Sequence, residues 1–391
     1  MADCRAKVQG MRRQAEIVGG GLAGLSAAIA LAQRGWSVRL HERHTALRRE
    51  GFGITVHANG LRVLAALGAY DDAVRDGVQL GFSELRDGSG ALIARTRLDA
   101  RGYRVSRVRL LSALETQARK AGVDIRYGSV PRTARPDGTI ELEDGSRLPA
   151  DLVVAADGVN SSLRDSLGLT RSDTTLADGA HRLIIPSQPG DSARASNTVI
   201  EWWAGTRRVV FGACSASEVY IAFSCRGDDV PAKQVPIDVT VWTQSFPVLA
   251  ELLQRVHRDA DWPIVLWAPF KLIKLRRWSA GRVAVIGDAA HAMPPNLGQG
   301  GSCAMMGGLG LAVYLDGIED VPAALQQWEA RERPLIEHTQ RWSRLYSILA
   351  GWPRMFSTPV LSLLTMPRFR AQYRRTASHI PTGTESMAGQ G

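Results

Sequence analysis

The stretch Ala15-Glu16-Ile17-Val18-Gly19-Gly20-Gly21-Leu22-Ala23-Gly24 decides the fold of this 391-residue chain. Its apolar first half predicts a short buried strand, and residues 22–33, rich in alanine and leucine, predict a helix directly after the glycines. Residues 36–40 predict a second strand that ends at His41-Glu42. A strand, a glycine-rich turn, a helix and a second strand predict a parallel βαβ unit, for which the alternative is a chance glycine-rich turn.

The glycines of this unit have the spacing of a dinucleotide-binding fingerprint. Gly19 permits a tight turn, Gly21 lets the backbone approach a pyrophosphate, and Gly24 lets the helix pack closely on the strand. The helix N-terminus offers N–H groups and a partial positive charge to phosphates. Glu42 follows Gly24 by 18 residues, where a carboxylate accepts hydrogen bonds from an adenosine ribose. The predicted cofactor contacts of this unit are Gly19, Gly21, Leu22, Ala23, Gly24, Glu42 and Arg43.

Two later segments indicate which dinucleotide is bound. Residues 152–156 predict a strand that leads into Asp157-Gly158, and residues 282–286 predict another that leads into Gly287-Asp288. A carboxylate at a strand end can bind a ribityl hydroxyl, and the glycine-rich loop 294–301 opens a helix whose N–H dipoles suit a flat ring that becomes negative when reduced. The first unit alone fits NAD or FAD, whereas the three segments predict FAD, with further contacts from Asp157, Asp288, Gly298, Gly300 and Gly301.

These motifs resemble the single-component FAD-dependent aromatic hydroxylases, the group that includes p-hydroxybenzoate hydroxylase. Within that group the chain most resembles the hydroxypyridine-carboxylate oxygenases, typified by 2-methyl-3-hydroxypyridine-5-carboxylate oxygenase, in residues 58–64, 178–184 and 235–239 and in the late Gly-Asp segment. The resemblance covers nearly the whole chain and is weakest at the C-terminal end. It implies an α/β fold in which a Rossmann-like FAD-binding domain is interrupted by a β-sheet substrate domain and followed by a C-terminal helical segment.

The resemblance also implies an activity. NAD(P)H would reduce bound FAD, O₂ would add at the flavin C4a, and the hydroperoxide would pass one oxygen to a hydroxylated aromatic or N-heteroaromatic ring. In the hydroxypyridine-carboxylate subgroup, ring opening follows. The expected partner is a small anionic aromatic substrate, and the expected state is a cytoplasmic monomer or homodimer.

Several single residues acquire a role through the resemblance. Arg48 and Arg107 match arginines that contact FAD phosphate or ribose, and the alternative for each is a surface salt bridge. Val130 is placed to offer backbone groups to adenine, and Pro295 matches a proline beside the reactive flavin carbon. His291 matches a histidine that holds its loop rather than acting as a base.

A substrate-binding face follows from the alternation of side chains along strands. Val209 and Phe211 share one face of their strand, as do Val219, Ile221 and Phe223 of the next, so this face is predicted to pack on a layer. The opposite, mixed face carries Arg208 and Tyr220, which suit an acidic group and a hydroxyl of an aromatic ligand, and the resemblance adds Arg182. The alternative is a solvent-exposed polar sheet face.

One segment departs from the family pattern. Many relatives carry an acidic pair in the helix after the glycine loop, where this chain has Met305-Met306-Gly307-Gly308. The departure is interpreted either as packing variation in a helix that still forms or as a mark of lost activity.

Composition excludes some classes of protein. The chain has a formal net charge of +10 and four cysteines, which lack metal or disulfide spacing, so no metal is predicted and a reducing compartment fits. No apolar run is long enough to span a membrane, and no nucleic-acid-binding motif accompanies the positive charge. The charge is interpreted as a field that attracts anionic substrate and NAD(P)H, or simply as a basic surface.

The predicted domains are discontinuous. Residues 14–75, 104–175 and 276–320 are assigned to FAD binding, 76–103 and 176–275 to the substrate domain and 321–380 to C-terminal helices, with 1–13 and 381–391 disordered. One rival function is a flavin-dependent halogenase, which lacks support because no Trp-x-Trp-x-Ile-Pro motif occurs. The other is a non-oxygenating FAD-binding protein.

Overall fold

A computed structural model describes residues 12–46, 52–98, 101–191, 197–258, 265–350 and 366–387. Its strands are β1 Gln14–Val18, β2 Ser37–Glu42, β3 Gly53–His57, β4 Val78–Gln79, β5 Phe82–Asp87, β6 Leu92–Arg97, β7 Gly102–Ser106, β8 Asp124–Tyr127, β9 Pro131–Arg135, β10 Thr139–Leu142, β11 Arg147–Pro149, β12 Leu152–Ala155, β13 Thr170–Pro186, β14 Thr198–Ala204, β15 Arg207–Ala213, β16 Glu218–Arg226, β17 Val265–Leu275, β18 Ser279–Ala280 and β19 Val283–Val285. Its α-helices are α1 Leu22–Ala32, α2 Ala58–Ala66, α3 Tyr70–Val74, α4 Arg107–Lys120, α5 Ser162–Ser166, α6 Val239–Ser245, α7 Ala250–Arg258, α8 Asp288–His291, α9 Gly300–Tyr314, α10 Val321–Ala350 and α11 Pro367–Ala377.

The first large sheet carries the predicted Rossmann-like unit. Its strand order is β18-β19-β12-β1-β2-β8. Strand β1 is parallel to β12 and β2, and β12 is parallel to β19. Because parallel strands end at the same edge, the turns that follow Val18, Ala155 and Val285 meet there. The three motifs that lie far apart in the sequence therefore come together at one edge.

Two glycines make the first turn of this sheet possible. Gly19 has φ +110°, and a Cβ atom there would lie 2.2 Å from the Ala156 carbonyl oxygen. A Cβ at Gly24 would lie 1.9 Å from the Gly19 carbonyl oxygen. Side chains at either position would push α1 away from the sheet, so the roles predicted for these glycines as a tight turn and a close helix contact are confirmed.

The second large sheet has the strand order β17-β13-β16-β15-β14-β5-β6. Neighbouring strands are antiparallel except β14 and β5, which are parallel. One face packs Val209, Phe211 and Phe223 against α6, where Trp242 lies 5.0 Å from the Phe223 ring. This confirms the predicted apolar face and leaves the mixed face directed toward the FAD-binding part. Strand β13 begins at Thr170, before the boundary predicted at 176.

Two small antiparallel sheets complete the description, in the orders β3-β7-β4 and β11-β10-β9. Strand β3 contacts both α9 and β16, so the first small sheet links the two large ones.

The segment that departs from the family pattern lies inside a regular helix. Residues 302–312 of α9 are buried. A Cβ atom at Gly308 would lie 2.8 Å from the Ala23 carbonyl oxygen and 2.9 Å from the Ala27 nitrogen, so the glycine lets α9 touch the backbone of α1. The Trp328 indole donates to the Gly307 carbonyl at 3.1 Å. Packing therefore accounts for these glycines.

The expectation of a disordered C-terminal tail does not hold for residues 381–387, which pack on the helical segment. Thr384 is fully buried, and the Thr382 hydroxyl donates to Glu332 at 2.7 Å. A Cβ at Gly383 would meet the Val313 side chain at 2.6 Å. The polar composition of this tail suggested disorder, but a polar side chain of the tail forms a hydrogen bond with α10 instead of with solvent.

Candidate active site

A cavity of about 1000 Å³ lies between the edge of the first large sheet and the mixed face of the second. We call this mixed side the substrate face, defined by Glu201 of β14, Arg208 and Val210 of β15 and Tyr220, Ala222 and Ser224 of β16. Twelve of the residues predicted from sequence line the cavity: Gly21, Leu22, Ala23, Arg107, Arg182, Arg208, Tyr220, Asp288, Pro295, Gly298, Gly300 and Gly301. The fold thus brings the motifs and the substrate face to one chamber.

The N-terminus of α1 opens into the chamber without a capping side chain. Its N-cap residue Gly21 makes no side-chain hydrogen bond, and the first turn contains no acidic residue. A Cβ at Gly21 would meet no other described atom within 4 Å, in contrast to the crowded Gly19 and Gly24. Free N–H groups beside open space suit a pyrophosphate, so the residues fit FAD at this end. We call this turn, residues 19–24, together with the loops that follow β12 and β19, residues 156–161 and 286–301, the FAD cradle.

Glu42 lies at the outer end of the cradle. Its carboxylate accepts hydrogen bonds from the backbone N–H of Gly20 at 2.8 Å and of His44 at 3.0 Å. Its carbonyl accepts from Ser129 N–H at 3.1 Å, which places Val130 next to the same end. Arg43 is exposed and points to His44. None of Glu42, Arg43 and Val130 lines the chamber itself. Arg48 lies outside the described residues.

The two predicted strand-end aspartates have different environments. Asp288 faces the chamber, and desolvation raises its pKa while the nearby Arg107 and Arg182 act to lower it. Asp157 does not line the chamber, because its carboxylate accepts hydrogen bonds from the Ser161 hydroxyl and from Leu163 N–H at 3.3 Å. Burial raises the pKa of Asp157 as well. Of the two aspartates, Asp288 is therefore the one that faces the chamber, and Asp157 holds the start of α5.

The glycine-rich loop of the cradle approaches the first small sheet. Gly298 has φ +61°, and a Cβ there would lie 3.4 Å from the His57 Nε2 atom. Pro295 begins a short 3₁₀ turn, Pro295–Leu297, at the chamber wall. His291 instead packs in the core, 5.3 Å from the Trp278 ring, and burial lowers its pKa to about 4. It therefore does not reach the chamber as a base.

Arg208 is not a free cation. Its guanidinium lies 3.3 Å from the Glu201 carboxylate and donates to the Asn296 side-chain oxygen at 2.8 Å. Asn296 is itself held by Ser343 and Ser347 of α10. The Tyr346 hydroxyl donates to Glu201 at 3.4 Å, and burial raises the pKa of Glu201 although Arg208 acts to lower it. The pair carries little net charge.

Two other arginines of the chamber have aromatic neighbours. The Arg182 guanidinium lies 5.1 Å from the centre of the Phe52 ring and 5.6 Å from that of Phe270. Arg104, on β7, lies 5.3 Å from the centre of the Tyr220 ring. Tyr220 is buried, and this burial raises the pKa of its hydroxyl. Tyr220 is thus neutral and placed at the substrate face, as the alternation predicted.

Helix α11 closes one side of the chamber. The Tyr373 hydroxyl lies 3.1 Å from the His57 Nε2 atom, and burial lowers the pKa of His57 to about 4. His57 is therefore neutral near pH 7 and available for this hydrogen bond.

Sequence reasoning missed Arg104, Glu201 and Tyr373 as chamber residues. The sequence offered one indication for Arg104. It stands beside apolar Val105 in a short strand, and a buried arginine in such a strand is unusual. Glu201 and Tyr373 gave no such signal, since their neighbours come from distant elements.

The part of the chain that the structure describes contains no helix long and apolar enough to cross a membrane. Within the same residues, no group of three or more histidine, cysteine, aspartate or glutamate side chains could hold a metal ion.

Comparison with known proteins adds the following. A family profile described as "FAD binding domain" matches residues 12–342. The chain is 39% identical over 389 residues to a putative 2-heptyl-3-hydroxy-4(1H)-quinolone synthase of Rhodococcus erythropolis, covering 97% of this chain and 100% of the relative. It is 39% identical to a 2-heptyl-3-hydroxy-4(1H)-quinolone synthase of Mycobacteroides abscessus, covering 91% and 96%. It superposes with a TM-score of 0.85 on the tetrameric form of 2-methyl-3-hydroxypyridine-5-carboxylic acid oxygenase, at 35% identity, covering 94% of this chain and 98% of the other.

Proposed function

Because the chain belongs to the FAD binding domain family and is an FAD-dependent aromatic monooxygenase, we propose that it hydroxylates a 2-alkyl-4(1H)-quinolone at ring carbon 3. Two relatives that are 39% identical carry the name of a 2-heptyl-3-hydroxy-4(1H)-quinolone synthase. A monooxygenase that forms such a product starts from the same ring without the 3-hydroxyl group. The product keeps an intact ring, so the proposal includes no ring opening.

The observation that carries the proposal is the Glu201–Arg208 pair on the substrate face. A cation that already has a carboxylate 3.3 Å away gains little from a second carboxylate. The pair instead offers a hydrogen-bond acceptor and a donor side by side, which suits an uncharged ring with an N–H group. A 4(1H)-quinolone is such a ring, whereas a pyridine carboxylate is not.

The chamber also has an apolar end for an alkyl chain. Leu85 of β5 lies opposite Glu201 of β14 on one side and Ala94 of β6 on the other. Leu80, Leu98 and Val199 line the chamber as well, together with the polar side chains of Ser83 on β5 and Thr96 on β6. This apolar group lies at the β6 edge of the sheet, away from the FAD cradle. Burial of each methylene contributes about 0.8 kcal/mol, so a chain of several carbons would supply much of the binding free energy.

The cradle residues would hold FAD through the N–H groups of Leu22 and Ala23, the Glu42 and Asp288 carboxylates and the loop that contains Gly298, Gly300 and Gly301. When bound, FAD would accept electrons from NAD(P)H, the donor that the family resemblance implies, and would supply the redox chemistry that activates O₂ for transfer of one oxygen atom to the ring. Pro295 and Asn296 form the chamber wall between cradle and substrate face. Their part is to orient the ring, and Asn296 does so by fixing Arg208.

The direct test is a substrate screen with the purified, FAD-loaded protein. We expect 2-heptyl-4(1H)-quinolone to stimulate NAD(P)H oxidation and oxygen uptake, with a product that mass spectrometry shows to have gained one oxygen. The N-methyl quinolone is the matched control, since it lacks the N–H donor, and should stimulate less. No stimulation by any 4-quinolone would refute the proposal.

A second candidate is oxygenation of an anionic hydroxypyridine carboxylate, as expected from the sequence. It is favoured by Arg104, a buried cation with no carboxylate nearby among the described residues, and by the similarity to 2-methyl-3-hydroxypyridine-5-carboxylic acid oxygenase. Including that acid in the same screen decides between the two, and a ring-opened product would identify the second route. NADH or NADPH preference is read from the same assay.

A further inference from the structure

Arg104 is a buried arginine of the chamber that has no ion pair among the described residues. It is only 4% exposed, although it lines the chamber. No ion pair with it occurs among the described residues, whereas Arg208 is paired with Glu201. A buried guanidinium without a carboxylate is unfavourable unless a ligand supplies the missing acceptor.

The hydrogen bonds of Arg104 are also incomplete. Its Nη2 atom donates to the Thr55 hydroxyl at 3.3 Å, while Nε and Nη1 have no partner among the described residues. The side chains around it are uncharged near pH 7, because burial lowers the pKa of His57 to about 4, raises that of Cys214 to about 12 and raises that of Tyr373. Nε and Nη1 are both buried and therefore remain without an acceptor among the described residues.

The fold makes room for this side chain. A Cβ atom at Gly212 of β15 would lie 2.6 Å from Arg104 Nη1, so any other residue there would displace the guanidinium. Gly212 lies directly opposite Tyr220 on β16, whose ring is beneath the guanidinium. Arg104 is thus seated at the substrate face by a glycine gap on one side and an aromatic ring on the other.

Its position relative to the cradle is also defined. Arg104 lies opposite Thr55 in the β3–β7 pairing. A Cβ at Gly298, in the glycine-rich loop, would lie 3.7 Å from the Thr55 Cβ. Arg104 Nη2, which contacts Thr55, therefore lies on the cradle side of the chamber, while Nη1 faces Gly212 of β15.

We propose that Arg104 binds the ring oxygen of the substrate, the 4-oxo group of a 4(1H)-quinolone. This inference rests on the proposed function. The 4-oxo oxygen is conjugated with the ring nitrogen and carries partial negative charge, which is the acceptor that an unpaired guanidinium lacks. It is also attached to the carbon next to position 3, so a contact with Arg104 orients that position toward the cradle.

Glu201 and Arg104 would then bind opposite edges of one ring. Glu201 lies opposite Val210 of β15, and Gly212, which touches Arg104, lies two residues further along the same strand. Strand geometry separates two such positions by about 7 Å. An N–H and a C=O group across a six-membered ring, with one hydrogen bond of about 2.9 Å at each end, span about 10 Å, so the two side chains must diverge by about 3 Å to hold both edges of the ring.

The test compares Arg104→Met and Arg104→Lys with the wild-type holoenzyme, and uses the exposed Arg135→Met as a matched control. The probes are 2-heptyl-4(1H)-quinolone and 2-heptylquinoline, which lacks the oxygen, titrated by the change in flavin absorbance. We expect Arg104→Met to weaken quinolone binding by about ten- to a hundredfold and quinoline binding little, with Arg104→Lys intermediate. Arg135→Met should match the wild type.

A thermal measurement without substrate separates ligand binding from a structural role. Removing an unpaired buried charge should leave the melting temperature of Arg104→Met unchanged or raised. A lower melting temperature for both Arg104 variants, or equal weakening of the two probes, overturns the inference. If wild type hydroxylates the quinolone and Arg104→Met binds it normally, only this inference fails. If wild type does not accept quinolones at all, the proposed function fails first and this inference with it.

Discussion

The FAD cradle and the substrate face form opposite walls of one chamber, and they are built on different principles. The cradle is defined by backbone: Gly19 and Gly24 are required because a Cβ atom would overlap a carbonyl oxygen, and Gly21 faces open space. The substrate face and the neighbouring Arg104 are defined by side-chain charges: Arg208 is balanced by Glu201, whereas Arg104 has no ion pair among the described residues. A cradle of this kind can serve any substrate, whereas a change of one acid or glycine alters what the opposite wall accepts.

The largest effect is expected from a substitution that disrupts the FAD cradle. Gly19→Val should abolish FAD binding and destabilise the protein by roughly 3 kcal/mol or more, from a strained positive φ and an overlap with Ala156. Flavin absorbance of the purified protein and thermal unfolding measure both effects. Gly21→Ala is the matched control: its Cβ meets no other described atom, so we expect normal unfolding and a loss of FAD affinity alone. A yellow, stable Gly19→Val protein would contradict the comparison.

The next effect concerns the charge balance of the substrate face. Glu201→Gln keeps the shape of the side chain but leaves Arg208 without its carboxylate. We expect it to weaken binding of an N–H quinolone and to strengthen binding of a hydroxypyridine carboxylate, each by about tenfold or more, with FAD affinity unchanged. Titration of both ligands and of FAD into the variant measures this. Equal affinity of wild type and variant for both ligands would show that the pair does not select the substrate.

Arg208→Met is the complementary variant. It should weaken substrate binding and leave FAD binding intact, and it should cost about 1–3 kcal/mol of stability because Glu201 loses its partner. The double variant Glu201→Gln/Arg208→Met should recover most of that stability, since neither charge remains.

A smaller effect is a pH dependence. Burial raises the pKa of Glu201, so as the pH falls its carboxylate gains a proton earlier than an ordinary glutamate does. The protonated form no longer accepts the ring N–H hydrogen bond, so quinolone affinity should fall toward acidic pH and be full above the raised pKa. Dissociation constants measured from about pH 5 to pH 8 test this. Glu201→Gln should show a flat profile, and a sloping one would assign the dependence to another group.

The smallest effect belongs to Tyr220→Phe. Its hydroxyl is neutral, so a lost hydrogen bond to substrate should cost about 0.5–1.5 kcal/mol, or about two- to tenfold in affinity. The ring beneath Arg104 is kept. FAD binding and the melting temperature should not change, and a large loss of either would show that the hydroxyl serves the fold.

The comparison of the two walls also explains which predictions succeeded. The Rossmann-like unit, the alternation that placed Arg208 and Tyr220 in the chamber and the helix after the glycine loop were all predictable, because each depends on spacing within one segment. The interpretation of Arg208 as a carboxylate-binding group was incomplete, because Glu201 lies on the neighbouring strand and the sequence does not show which strands pair. Every predicted contact with FAD stays a prediction, those of the chamber-lining Asp288 and Arg107 as well as those of Glu42, Arg43, Val130 and Arg48.

The order of residues by itself determined that this protein binds a dinucleotide. Tight turns and close helix contacts exclude every residue except glycine at a few positions. These positions are close together in the sequence, so a short segment is enough to reveal the pattern. The tertiary structure alone decided the character of the substrate site. It pairs Glu201 with Arg208, opens a gap at Gly212 for Arg104 and brings Tyr373 to His57, across separations of up to 316 residues. Electrostatic balance depends on distance in space, and distance in space is set only when the sheets have formed.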